Sequence, residues 1–342
     1  MEALKSPPAF QRALLDFYGK RGRDLPWRRT RDPYAIWISE VMLQQTQVQT
    51  VIPRFAKFLR QFPTVASLAA ADERTVCEAW AGLGYYRRAR NLHKAARMIV
   101  AEWHGEVPDT EATLRQLPGV GAYTAAAIAS IAFAQKTPAV DGNLVRVLAR
   151  VHALSGRAGD PALTLAVWKQ AWRLVDCDQP GEINQALMDI GATLCRPENP
   201  ACPECPLRRA CLGLKQGAPT VYPGGKSKAA RKSLRIAFAW VEHKGGLLLE
   251  QRPLEGLWAG LWELPSASGV QAKRSLEQRL GQKLDRPLAR IFHQLTHRQV
   301  TASVYRATAK PQPGQRWWKE PLTAPLSSLA RKAIVATKQR QP

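Results

Sequence analysis

Glu40 lies in AIWISEVMLQQTQ, a helical run that is apolar on most sides, between Ile38 and Val41. A helical glutamate usually sits on a solvent-facing stripe. The apolar flanks favour burial instead, which would raise its pKa and leave it partly protonated near neutrality. Asp141 opens the run Gly142-Asn143-Leu144-Val145-Arg146. Aspartate is a favoured N-cap, and backbone N–H groups that bond its charged form keep it ionised. One raised and one ionised carboxylate is the pair that cleaves a glycosidic bond.

Four of the six cysteines are concentrated as Cys195-x6-Cys202-x2-Cys205-x5-Cys211, in a loop stiffened by Pro197, Pro200, Pro203 and Pro206. Thiolates so placed hold zinc or an iron–sulfur cluster, and the spacing leaves the two open. The isolated Cys77 and Cys177 do not extend this into a disulfide framework.

A third feature is LPGVGAYTAAAIASIAFAQKTPAVD, residues 117–141. Gly119 and Gly121 flank Val120, so the backbone can turn tightly and approach another molecule closely. The helix that follows starts with unpaired N–H groups and a positive dipole end, which suit a phosphate. Alone, the turn could equally be punctuation between two helices.

The elements that must position these groups are helical through residue 213. Ser6 with Pro7-Pro8 and Asp32-Pro33 are helix starts. Phe10, Leu14 and Phe17 share one face of the first helix. Further helices are expected near 47–61, 64–70, 72–81, 85–103, 110–116, 122–133, 143–154, 162–176 and 182–194. From Pro206 to Val241 there is no acidic residue, and 214–233 reads as a basic linker able to follow a phosphate backbone. Residues 234–342 read as α+β: IAFAWVE and GLLLEQRP as a hairpin across Lys244-Gly245-Gly246, a helix over 273–284, and a strand pair in RIFHQLTHRQVTASVYRATA.

The chain has 342 residues, 45% of them apolar, which is enough for two cored domains. Fifty Lys and Arg against 27 Asp and Glu give +23, a balance that points to a polyanion and first to nucleic acid. Such binding weakens with salt, with a log–log slope of about −0.9 per phosphate neutralised. No apolar run reaches the length of a membrane span, and the N-terminal stretch reads as an amphipathic helix, so an intracellular protein is expected.

At this point a resemblance becomes specific. ISEVMLQQTQV, GLGYYRRARNLH, LPGVGAYTAAAI, VDGNLVRVLAR and the cysteine loop, in that order, resemble the MutY family of adenine DNA glycosylases, in the helix-hairpin-helix glycosylase superfamily near endonuclease III. The likeness covers almost the whole chain and weakens after about residue 235. It implies an all-α catalytic domain (1–213) with a [4Fe–4S] cluster on Cys195, Cys202, Cys205 and Cys211, a linker (214–233), and a Nudix-like 8-oxoguanine-recognition domain (234–342). It implies a monomer that removes adenine mispaired with 8-oxoguanine in double-stranded DNA.

The resemblance also distributes roles. Glu40 would protonate N7 of the flipped adenine, and Asp141 would stabilise, or for a time bond to, the sugar cation. Tyr123 and Asn143 would support them, and Gln185 would face the adenine. Gly119, Val120 and Gly121 would hold a phosphate. Gln45, Thr46, Leu83 and Tyr85 would wedge into the stack and contact the oxidised guanine. Arg87, Arg88 and Arg90 would meet phosphates or form a solvated face. Where endonuclease III-type lyases carry a Schiff-base lysine this chain has Tyr123, and a phenol cannot form that imine. A glycosylase without a strong strand-cleaving step is therefore expected, over a bifunctional lyase. In the last domain Arg274, Ser275, Gln278 and Arg279 stand where a Nudix hydrolase needs glutamates, which argues against nucleotide hydrolysis. The family's Phe-Ser-His lesion loop becomes Leu295-Thr296-His297, with Thr296 and His297 the expected contacts. A non-catalytic DNA-binding protein would have no use for Glu40 with Asp141, since phosphate binding gains nothing from carboxylates.

Overall fold

The computed structural model describes residues 7–225, 232–253, 256–295 and 298–340. The cap predicted at Ser6 and the lesion contacts Thr296 and His297 lie outside these residues. The chain divides into two compact units, Met1–Ser227 and Lys228–Pro342.

In the first unit α1 (Pro7–Arg21) buries Phe10, Leu14 and Phe17, as its spacing predicts. Helix α2 (Pro33–Leu43) starts on Asp32, whose carboxylate accepts from the N–H groups of Tyr34 and Ala35, and Pro33 fills the first turn, where no N–H is needed. Helices α3 (Val48–Gln61), α4 (Val65–Ala70), α5 (Glu73–Ala79), α6 (Arg87–Trp103), α7 (Glu111–Leu114) and α8 (Ala122–Phe133) follow. Together α2 to α8 enclose one core, around Trp37, Phe58 and Trp80. Every residue of α8 from Thr124 to Ile131 is buried, the mark of a helix enclosed by others. Its small side chains let α2 and α11 pack on it.

Helices α9 (Gly142–Val151), α10 (Pro161–Val175) and α11 (Pro180–Asp189) form a second core with α1, around Leu14, Leu148, Val167 and Leu187. The helix expected over 182–194 is divided: α11 ends at Asp189, and a π turn, Ile190–Leu194, carries the chain to Cys195. Such turns are frequent at functional sites. The short α12 (Leu212–Lys215) closes the cysteine loop. Met188 packs against both cores, and the candidate site lies along this seam.

The described residues of the second unit form two sheets. One runs β5 (Ser266–Ser268), β1 (Lys232–Trp240), β7 (Arg298–Arg306), β6 (Ala289–Gln294). The other contains β2 (Glu242–His243), β3 (Gly246–Gln251) and β4 (Trp262–Glu263), with β8 (Gln315–Trp318) also on β3. The expected 289–306 strand pair forms, as β6 antiparallel to β7. The expected 234–251 hairpin does not form at that length. Strand β1 runs parallel to β7, and only Glu242 and His243 turn back onto β3. The reason is burial on both faces. Ile236, Phe238 and Trp240 enter one core while Ala237, Ala239 and Val241 enter another, so β1 is an interior strand and not half of an exposed hairpin. Helix α13 (Ala272–Leu280) stops short of residue 284 because Gly281 takes a left-handed φ of 65° and caps it. Helix α14 (Ser328–Lys338) packs on β6.

Candidate active site

Glu40 sits in the second half of α2 with 6% of its surface exposed. Burial pushes its carboxyl up to about 7, against the opposing pull of the Tyr123 hydroxyl and the Arg28 guanidinium and with a further push from Asp141. Tyr123, in the first turn of α8, has its hydroxyl within hydrogen-bonding reach of Glu40 and 3.6 Å from Met188 Sδ of α11. Burial and the two carboxylates drive its own pKa far upward, so it is a donor at any physiological pH.

Asp141 caps α9 as its position predicts. Its Oδ1 accepts from Asn143 N at 2.9 Å and Leu144 N at 2.8 Å, and its Oδ2 accepts from Asn143 Nδ2 at 2.9 Å. These bonds favour its charged form, as expected, but they do not set the direction of its pKa. Burial outweighs these bonds and the net shift is upward. The two carboxylates therefore differ by hydrogen bonding more than by burial: Asp141 receives three N–H donors, Glu40 a single phenol.

Asn143 continues a polar chain. Its Oδ1 accepts from Arg146 Nη2 at 2.8 Å, and Arg146 donates onward to Gly191 O and Cys195 O, each at 2.7 Å. Asn143 is thus oriented from the π turn. A Cβ on Gly191 would stand 2.6 Å from Asn143 Cβ, so only glycine lets that turn approach. The first cysteine of the loop and the capping aspartate are linked through side chains of one helix.

Four residues around the site, Arg23, Arg28, Asp189 and Asn184, are not foreseen from the sequence. Arg28 donates to Asp189 at 2.6 and 2.9 Å while Arg23 Nε donates to the same carboxylate at 2.6 Å. Burial works against Asp189, but the two guanidiniums hold it below the usual range, and the Arg28 guanidinium also acts on Glu40. Asn184, fully buried, donates to Ser130 Oγ and Thr137 O and accepts from Ala139 N, pinning the segment that leads to Asp141. Gln185, its neighbour on α11, is 7% exposed.

In the hairpin, Gly119 has a φ of 81° and a Cβ there would lie 2.9 Å from Asn91 Cβ. The expectation that Val120 faces a phosphate is not met: its N–H bonds back to Leu117 O at 3.1 Å and its side chain is buried. Gly121 and the first turn of α8 have no side-chain cap, so the donors open to a phosphate start there. Of the residues expected to read the lesion, Gln45 and Tyr85 are exposed and Thr46 half-buried, but Leu83 is buried in the core. Leu83 belongs to the support of that loop. Arg88 is also buried, at 9% exposure, and so is neither a solvated side chain nor a phosphate contact.

Cys195, Cys202, Cys205 and Cys211 line one pocket walled by Val147, Ile190 and Leu194. Among the described residues no three metal-ligating side chains converge on a single ion. Burial pushes the Cys205 thiol up to about 11 and raises Cys202 and Cys211 as well. Arg150 Nη1 lies 3.5 Å from Cys195 Sγ, ready to offset thiolate charge. Four thiols in a largely apolar pocket suit a soft, thiophilic metal, zinc or an iron–sulfur cluster alike. In the second unit Arg279 turns its guanidinium onto Glu250, and Arg252 pairs with Glu263 at 2.6 Å. Those carboxylates are neutralised by arginine.

The helical fold, the glycine hairpin and the carboxylate pair together define a base-excision DNA glycosylase. Residues 38–173 match the HhH-GPD superfamily base excision DNA repair protein family, and residues 236–336 match the NUDIX domain. The chain is 38% identical to the adenine DNA glycosylase of Rattus norvegicus, over 95% of this chain and 77% of the relative. It is 36% identical to that of Homo sapiens, over 98% and 75%. A thermostable thymine-DNA glycosylase structure superposes with a TM-score of 0.56 at 30% identity, covering 63% of this chain and all of the other. The chain belongs to the adenine DNA glycosylase family, enzymes of base-excision repair. Among the described residues no helix is long and apolar enough to cross a membrane.

Proposed function

We propose that this glycosylase acts on adenine opposite 8-oxoguanine, with Glu40 as general acid and Asp141 as the electrostatic partner of the sugar. The observation that carries the reading is Glu40 itself: a buried carboxyl with a pKa of about 7, bonded by the Tyr123 phenol and within the electrostatic reach of Asp141, the cap of α9. Adenine is a poor leaving group until protonated. Glu40 gives its proton to N7 of an adenine flipped out of the duplex. The N9–C1′ bond then breaks with its electron pair going to the base. Asp141 stabilises the oxocarbenium ion, a water adds to C1′, and the proton the water releases restores the acid. Gln185 lies on α11 with Met188, whose sulfur meets Tyr123, so it can face the base. Tyr123 in place of a lysine leaves no imine-forming nucleophile there, which favours a monofunctional enzyme. Tyr85, Gln45 and Thr46 are the groups of the first unit assigned to 8-oxoguanine.

The test is a duplex panel. Single-turnover adenine release is expected fastest from A opposite 8-oxoguanine, slower from A opposite G, and undetectable from A opposite T. Equal rates on all three would defeat the lesion assignment while leaving the glycosylase intact.

The four cysteines are assigned to a [4Fe–4S] cluster, whose role here is to fold the loop and the π turn that orient Asn143. Thiols so raised by burial release protons when metal binds, so loading is stronger at higher pH. The purified protein is expected to be yellow-brown, with iron and inorganic sulfide in equal amounts. A colourless protein holding zinc would overturn the assignment.

A further inference from the structure

The guanidinium of Arg88, in the first turn of α6, meets an unusual set of partners. Its Nη1 donates to Val41 O and Met42 O, both at 2.8 Å, at the C-terminal end of α2. Its Nη2 donates to Thr46 Oγ1 and Leu83 O at 3.0 Å and to Gly84 O at 3.1 Å. The group also stacks between Trp80 and Tyr85, 5.4 and 5.6 Å from their ring centres. Among the described residues no carboxylate pairs with it, and its Nε is buried without a partner. A buried cation without a counter-charge is costly, and burial pulls its pKa down to about 10.

The segments it joins are those assigned above to the lesion strand. Their backbones are strained at the residues that face outward: Gln45 has a φ of 57° and Tyr85 a φ of 49°. Left-handed backbone at a non-glycine residue persists only where its surroundings enforce it. Tyr85 is 58% exposed although one face of its ring is held by Arg88. Gln45, Tyr85 and Arg88 line one open pocket with Gly119 of the hairpin.

We infer that Arg88 is a positioning residue for lesion recognition: one guanidinium ties the 41–46 turn to the 83–85 loop and so sets the spacing at which Gln45 and Tyr85 meet the oxidised base. Lysine cannot replace it. A single ammonium has no planar fork to span five acceptors and no flat face to stack between two rings. The inference rests on the assignment of these loops to 8-oxoguanine, and its test separates the two.

Single-turnover adenine release is measured with 8-oxoguanine and with guanine opposite adenine, and the ratio of the two rates is compared among variants. Arg88→Lys and Tyr85→Ala are each expected to lower the ratio at least about tenfold. The double variant should lose less than the product of the two single losses, since Arg88 acts in part through Tyr85. A purely structural Arg88 would lower the melting temperature and both rates together, and leave the ratio within twofold of wild type; that result overturns the inference. If Tyr85→Ala keeps the ratio, the lesion assignment of the loops fails and the inference falls with it. If Tyr85→Ala loses the ratio and Arg88→Lys keeps it, the inference alone falls. Should Arg88→Lys not fold, Arg88→Gln is read the same way, because its amide keeps a donor on fewer of the carbonyls.

Discussion

Glu40→Gln should lower single-turnover adenine release by about 10³-fold, within the range assigned to general acid catalysis, while making the protein more stable at pH 8. Both effects come from one cause. The carboxyl of Glu40 rises from an ordinary value of 4.5 to about 7 because α2 and α8 bury it. Glutamine keeps the shape and the acceptor for the Tyr123 hydroxyl, but has no proton to give to N7. For stability, the unfolded chain releases the Glu40 proton near 4.5 and the folded chain near 7. Below 4.5 both states are protonated and the group contributes nothing adverse. Between the two values the folded state holds the extra proton, so stability falls as pH rises, and above 7 the full cost of a buried anion is present. By linkage that cost is up to about 3 kcal/mol, which glutamine avoids. The melting temperature of Glu40→Gln should therefore exceed wild type at pH 8 and match it at pH 4. The wild-type rate should drop about tenfold per pH unit above 7. A variant within tenfold of the wild-type rate, or one less stable at pH 8, would remove Glu40 from the role of buried acid.

How much of this arrangement could be read beforehand follows from how local each interaction is. The burial of Glu40 is legible because Ile36, Trp37, Ile38, Val41 and Met42 surround it within one helix. The caps at Asp32 and Asp141 are legible because a carboxylate, the first N–H groups and the helix start lie within three residues. The direction of the Asp141 pKa is not, because it depends on elements that bury the residue from far along the chain. Arg28 and Asp189 are 161 positions apart, and no spacing rule joins them. Arg88 illustrates the same limit. In GLGYYRRARNLH its neighbour Arg87 is exposed while Arg88 turns inward, a choice made by carbonyls of α2 more than forty residues earlier. Strand β1 has a continuous apolar run, which fixes it as a buried strand but cannot say which strand lies beside it. Its parallel pairing with β7 is a decision of the sheet, and the nearby Lys244-Gly245 turn misleads by offering a closer partner.

Asp141→Asn is the second large effect, and it isolates charge from structure. Asparagine is as good an N-cap as aspartate, and its Oδ1 can still accept from Asn143 N and Leu144 N. Helix α9 and its bonds through Arg146 to Gly191 and Cys195 should persist, with melting within about 1 kcal/mol of wild type. What is lost is the negative charge that the proposed mechanism sets against the sugar cation. Opposite charges about 4 Å apart are worth roughly 4 kcal/mol at an effective dielectric of 20, which corresponds to about 10³-fold in rate. The amide also turns an N–H group toward Asn143 Nδ2, which now donates to Asp141 Oδ2. That mismatch is relieved if Asn143 rotates, at the expense of its bond with Arg146. Duplex binding should be unchanged, because phosphates and the flipped base do not rely on this carboxylate, so the loss should appear in the chemical step alone. Measured by single-turnover release and by duplex affinity on the same preparation, a rate loss below tenfold would show that the cation is stabilised elsewhere. A loss of affinity with the rate preserved would instead make Asp141 only the cap that begins α9.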